Sequence, residues 1–213
     1  MTSPATRTGL RRAVLRFALV AAASAAAATL WAANRPEQGL LLDARTWQDE
    51  VAAASTGPWV ADGWYRLVVR DEGVDVRPVR PSDRDTIPRD ALFFRLPGTP
   101  LVTGQRPNLR ALEVAQPPRL GRGHALSLAG RFSLQVQDVP AGLRYQIAYD
   151  GRAHDYLLGP RGAGSRVRAV ADLDGDGRPD FLVDVEGRAT YLLLSTRAQP
   201  GPNLPAAEMP AVD

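Results

Sequence analysis

The chain contains no cysteine. A disulfide framework, a thiol nucleophile and a lipid-acylated cysteine are therefore all excluded. It contains no lysine either: all 26 basic residues are arginine, a bias of GC-rich coding. Histidine occurs twice. His124 follows Gly121-Arg122-Gly123 in a loop before a strand, and His154 precedes Asp155 and Tyr156 on a strand. Neither stands beside a nucleophile, so zinc and histidine acid–base chemistry have little to work with. The serines lack a Gly-x-Ser-x-Gly setting, and Gly162-Ala163-Gly164-Ser165-Arg166 reads as a flexible link.

No acidic residue precedes Glu37. Arg7, Arg11, Arg12 and Arg16 form a basic head, and residues 17–33 are uncharged and rich in alanine. A charged head before a short apolar run is the pattern of a secretory signal. The run is at the short end for a membrane span of ~20 residues, so an uncleaved inner-membrane anchor is the alternative. Small residues at 26–28, or Ala33, offer a cleavage point. Leu10-Arg11-Arg12-Ala13-Val14-Leu15-Arg16 resembles a twin-arginine address, with an ordinary Sec signal as the other route. Either route places the mature chain in the periplasm or outside the cell.

The whole chain carries 26 basic and 23 acidic residues. Four arginines lie before residue 34, which leaves 22 basic residues against 23 acidic ones in the remainder, a net charge of −1. A nucleic-acid binder should keep a basic face after processing, so that partner class is set aside. A membrane is a partner only if the first segment is retained. The partner class that remains is another protein or a glycan.

The 18 prolines and 19 glycines cut the chain into short pieces, which favours strands over a helical bundle. Leu40, Ala44, Trp47, Val51 and Ala54 recur at helical spacing and predict one helix over residues 40–54, stopped by Gly57-Pro58. Strands are predicted at residues 64–69 and 74–79 as a hairpin, at 91–96 and 112–114, and over 125–136 with a bulge or turn at Gly130-Arg131. Further strands follow at 143–149 and 154–158 around an Asp150-Gly151 turn, then at 167–170, 181–185 and 189–194. The expected fold is all-β, a mainly antiparallel sandwich or partly open barrel with one short N-terminal helix. The expected organisation is a signal or anchor over residues 1–33, a helical lead-in over 34–60 and a β-domain over 61–198. A flexible proline-rich tail over 199–213 completes it.

The one strong chemical signal is the run Asp172-Leu173-Asp174-Gly175-Asp176-Gly177-Arg178-Pro179-Asp180. Four carboxylates this close repel one another unless a hard, oxygen-seeking cation joins them, and calcium is the usual one. Asp172, Asp174 and Asp176 fit positions 1, 3 and 5 of a calcium loop, with Gly177 at the sharp turn of position 6. Arg178 would ligate through its backbone carbonyl, and Asp180 at position 9 directly or through water. Position 12, a bidentate Glu in an EF-hand, is Val183. The flanks are β-branched and apolar, so the loop joins strands rather than helices.

On these residues the segment 167–195 resembles the calcium loop of FG-GAP or VCBS-type repeats, found in integrin α-chain propellers and secreted bacterial proteins. The resemblance implies that Asp172, Asp174, Asp176 and Asp180, with one carbonyl, hold calcium. The pattern occurs once, whereas a propeller needs several blades of ~40–50 residues each. The functional expectation is an exported calcium-binding β-protein that acts as a binding or scaffold module. The alternative is an extracytoplasmic hydrolase, with carbohydrate as one candidate substrate. Asp43, Asp49, Glu50, Asp62 and Glu113 are its open acid candidates, because carboxylate pairs that meet in space leave no spacing signal. Trp47, Trp59, Trp64 and Tyr65 could serve it as a sugar-stacking platform, although core packing is the simpler role for them.

Overall fold

The computed structural model describes residues 37–52, 63–80, 83, 87–108, 112–114, 124–128 and 132–211. The expected signal or anchor segment, Ala54, the expected Gly57-Pro58 stop, Trp59 and Asp62 lie outside the described residues.

The fold is all-β with one short helix, as the sequence predicts. Strand β1 is Gly39–Asp43, and helix α1, Ala44–Thr46, runs into a π-helical stretch, Trp47–Ala52. Strands β2 (Trp64–Arg70), β3 (Gly73–Val79), β4 (Leu92–Arg95), β5 (Gly104–Pro107) and β6 (Leu112–Val114) follow. Next come β7 (His124–Leu128), β8 (Phe132–Val139), β9 (Gly142–Tyr149) and β10 (Arg152–Gly159). The last are β11 (Ser165–Ala171), β12 (Asp180–Val185), β13 (Ala189–Leu193), β14 (Gly201–Asn203) and β15 (Ala207–Pro210).

The larger sheet has ten strands in the order β5-β3-β2-β4-β1-β15-β13-β12-β11-β6. Its two ends belong to one stretch of chain, since β5 pairs with β3 while β6 pairs with β11. The sheet therefore curls almost into a barrel. Its seam is closed by the Val102 N–H to the Leu173 carbonyl at 2.8 Å and the Val170 N–H to Asn108 Oδ1 at 3.0 Å. Alternation sends Leu41, Leu67, Val74, Val76, Phe94, Leu182 and Leu192 into its interior. The other faces of β11, β12 and β13 pack against a second sheet, β14-β10-β9-β8-β7, through Val183, Phe181, Tyr145, Ile147 and Tyr149. These strands are buried on both sides, which explains why they read as continuous apolar runs.

The hairpins follow their turn chemistry. Asp150 (φ 51°) and Gly151 (φ 79°) are both left-handed, the type I′ geometry that matches strand twist, and Tyr149 pairs with Arg152 across the turn. Gly130-Arg131 lies outside the described residues, and on either side of it β7 and β8 are separate strands with Leu128 paired to Phe132.

Two expectations are corrected. The predicted helix over residues 40–54 begins late, because Leu40, Leu41, Leu42 and Asp43 pair with β4 as a strand. A leucine run can satisfy either period, and the open edge of β4 decides in favour of pairing. Helix α1 begins where Asp43 Oδ1 accepts the Thr46 N–H at 2.6 Å, an N-cap. Beyond that point the predicted face survives: Ala44, Trp47 and Val51 are buried against Trp64, Val68 and Phe93. The tail is not a loose appendage either. It supplies β14 to the small sheet and β15 to the barrel, where β15 lies between β1 and β13.

Trp47 is fully buried and stacks on Phe93 at 4.5 Å between ring centroids. Trp47→Ala should lower the unfolding free energy by about 3–5 kcal/mol, the usual cost of an aromatic-to-alanine cavity. Urea unfolding followed by circular dichroism checks this, and a loss below about 1 kcal/mol would show that the helix is a dispensable cover.

Candidate metal centre

The aspartate loop spans the gap between β11 and β12, at the point where the barrel core and the inter-sheet core meet. Ala171 and Leu173 face the barrel, while Phe181 faces the second sheet. Both ends of the loop are thus anchored. Gly175 (φ 83°) and Gly177 (φ 81°) are left-handed, so each folds the loop back without a Cβ clash. At Gly175 an added Cβ would lie 2.6 Å from Val102 Cγ2, so that position also needs the missing side chain for space.

Asp172, Asp174 and Asp176 are brought together. Each presents a carboxylate oxygen, and the three oxygens lie within 4.8 Å of one another. Calcium binds oxygen at ~2.3–2.6 Å, so ligands on opposite sides of one ion stand about 5 Å apart. An all-oxygen set of that span fits a hard cation, held by Asp172, Asp174 and Asp176.

Backbone hydrogen bonds hold the carboxylates in place. Asp172 Oδ1 accepts the Gly175 N–H at 2.7 Å, and Asp176 Oδ1 accepts the Arg178 N–H at 2.8 Å. Asp174 Oδ2 accepts the Thr196 hydroxyl at 2.6 Å. A carboxylate oxygen has a further lone pair beyond one such bond, so these contacts orient the ligands without consuming them. Burial, and then the nearby Asp176 charge, push the Asp174 carboxyl above its ordinary value, while Thr196 pulls it back.

Asp180, the fourth carboxylate of the predicted ligand set, is placed apart from the other three. Asp180 is fully buried and does not join the three carboxylates. Its Oδ2 accepts the N–H groups of Leu173 (2.7 Å) and Asp174 (3.3 Å), and its Oδ1 accepts that of Ser195 (2.7 Å). As the first residue of β12 it points inward, where the bent chain leaves N–H groups needing an acceptor. Burial pushes its carboxyl up to about 8, opposed by the Ser195 and Leu173 N–H groups. Asp180 is thus the internal brace of the loop. Arg178 enters the expected ligand set only through its backbone carbonyl, and its side chain has another role. Its guanidinium lies over the Tyr149 ring, 5.8 Å from the centroid, and reaches Asp150 at 3.4 Å. It ties the loop to the second sheet, as does the Tyr149 hydroxyl donated to the Pro179 carbonyl at 2.8 Å.

No protein-family model, curated protein or solved structure matches the chain. The likeness to FG-GAP and VCBS loops accordingly rests on the residues of the loop itself.

Sequence reasoning missed Arg106. Its Nε donates to the Asp172 carbonyl at 2.6 Å, and its terminal nitrogen meets Asp172 Oδ2 at 3.1 Å. The two residues are 66 positions apart, and only the barrel seam brings them together. Arg106 supplies one resident positive charge to the site. Thr196 and Ser195 were also silent in sequence, since each acts through a position just after β13.

Of the residues named for hydrolysis, Trp59, Asp62 and the side chain of Glu113 lie outside the described residues, and others have structural places. Asp43 caps helix α1, and Asp49 is exposed and paired with Arg45. Trp47 and Trp64 are core residues, and Tyr65 packs on the barrel interior. His154 is buried and tilted against Tyr149, 5.1 Å between ring centroids. His124 opens β7.

Proposed function

We propose that this chain is an exported β-protein in which one calcium ion, bound by Asp172, Asp174 and Asp176, fastens the barrel to the second sheet. In this reading the protein serves as a binding or scaffold module for a protein or glycan partner. The observation that carries it is the set of three carboxylates within 4.8 Å on a loop whose two ends enter separate cores. Calcium there would neutralise repulsion and cross-link β11 to β12, which is a structural role. The likeness to FG-GAP and VCBS loops supports the choice of calcium, and the basic head and apolar run before residue 34 support export. A binding role draws support from the outer face of the second sheet, where Gln135, Gln146 and Asp155 stand side by side.

The test is a melting curve with calcium and with chelator. A ligand at 100 times its Kd adds about 2.7 kcal/mol. For a domain of this size each kcal/mol moves Tm by roughly 2–4 °C. Saturating calcium should therefore raise Tm by about 5–10 °C, and chelator should reverse the rise. Asp174→Ala should abolish the response. An unchanged Tm in the wild type would remove calcium from the proposal.

A further inference from the structure

A second site lies away from the aspartate loop, on the outer face of the β2–β3 hairpin. Arg66 and Arg77 are directly opposite each other across that hairpin. Opposed side chains of an antiparallel pair project to the same face, and like charges so placed repel. They line an open cleft of about 730 Å³ together with Arg70, Asp75, Thr103 and Gln105. Among the described residues, one carboxylate serves the pair. Asp75 lies 2.9 Å from Arg77 Nε but 3.8 Å from the Arg66 guanidinium, beyond hydrogen-bond length. Arg70 is committed elsewhere, to Asp90 at 2.5 Å. The Arg66 side chain is only 14% exposed, and its Nε is buried without a hydrogen-bond partner among the described residues. A desolvated guanidinium with an idle donor is costly to leave unsatisfied. An incoming oxyanion would add a counter-charge to the guanidinium and also screen Arg66 from Arg77.

We infer that this cleft binds a small organic oxyanion, a phosphate or carboxylate carried on a neutral polar body. Arg66 and Arg77 take the oxygens, because a guanidinium fork matches both groups. Thr103 and Gln105 supply neutral polar atoms for the body, and Val68 and Pro88 supply apolar wall. Asp75 is the internal anion with which the ligand competes.

The experiment is calorimetric titration of the full chain with glycerol 3-phosphate and, separately, glycerate, which differ in the anionic group. At least one should bind saturably, and the tighter of the two names the group preferred. Arg66→Gln should weaken that binding about tenfold or more, the loss expected for a hydrogen-bonded charge contact. Arg77→Gln, at a side chain 65% exposed and therefore safe for folding, should weaken it in the same direction if Arg66→Gln does not fold. Asp75→Asn should tighten it, since the resident competitor is gone. Arg161→Gln, at a side chain 58% exposed and paired with Asp138, should leave it unchanged. Absence of saturable binding by both probes would overturn the inference. So would wild-type affinity in Arg77→Gln, weaker binding in Asp75→Asn, or an equal loss in Arg161→Gln, which would indicate diffuse charge. Because the aspartate loop takes no part, loss of the calcium response leaves this outcome untouched.

Discussion

A chain ending at Gln199 should fail to fold. The truncation removes β14 and β15, and β15 is an interior strand of the barrel, parallel to β1 and antiparallel to β13. Its loss strips partners from both neighbours at once. The Gly39 N–H loses the Ala206 carbonyl at 2.6 Å, and the Leu192 carbonyl loses the Ala206 N–H at 2.8 Å. Ala206 and Ala207, buried in the barrel core, leave a gap that exposes Leu41 and Leu192. Small domains have only ~5–15 kcal/mol of net stability, and opening a barrel along two ladders exceeds that margin. The expected result is loss of a cooperative unfolding transition, measured by circular dichroism and urea titration. A peptide of residues 200–213 added in trans should restore part of the signal by strand addition. A truncated chain with a wild-type transition would show that β1 and β13 close on each other directly.

Asp180→Ala should be the most damaging single change in the loop. Three backbone N–H groups, of Leu173, Asp174 and Ser195, lose their acceptor in a fully buried place. Each orphaned donor costs ~1–3 kcal/mol, offset in part because a desolvated carboxylate is also removed. A net loss of about 3 kcal/mol or more is expected from urea unfolding without calcium. Asp180→Asn keeps one oxygen and turns an amide donor towards the other N–H, so it should fall between wild type and alanine. By contrast, Asp176→Ala, at an exposed residue, should cost little without calcium and appear only as a lost calcium response. If Asp180→Ala behaved like Asp176→Ala, the distinction between brace and ligand would fail.

The comparison of these two aspartates shows where sequence reading stops. By spacing, Asp172, Asp174, Asp176 and Asp180 are equivalent members of one pattern. Spacing gives the order of side chains along the loop but not the direction in which the chain turns them. Asp180 begins a strand that is buried on both faces, and its carboxylate follows the strand inward. Arg106 shows the opposite failure, an invisible residue that belongs to the site. Nothing in Gly104-Gln105-Arg106-Pro107 announces a partner 66 residues away, because a contact across a barrel seam has no local signature.

Local chemistry was readable wherever a short-range rule decides the structure. Alternating apolar residues gave β2, β3 and β9, and Asp150-Gly151 gave its hairpin turn. Residues 40–43 and 199–213 were not readable, for one reason. The leucine run and the proline-rich tail have no period that dictates a strand. They become strands because β4, β13 and β10 offer unpaired edges to them. The sequence by itself determined that this is a β-rich chain without thiol chemistry and with one cluster of carboxylates suited to a hard cation. Tertiary structure alone decided that the ends of the described chain lie side by side in a near-barrel, which carboxylates face outward, and that Arg66 confronts Arg77 beside a cleft. Those outcomes depend on long-range pairing, and the hydrogen bonds and burial that select a pairing exist only once the strands have met.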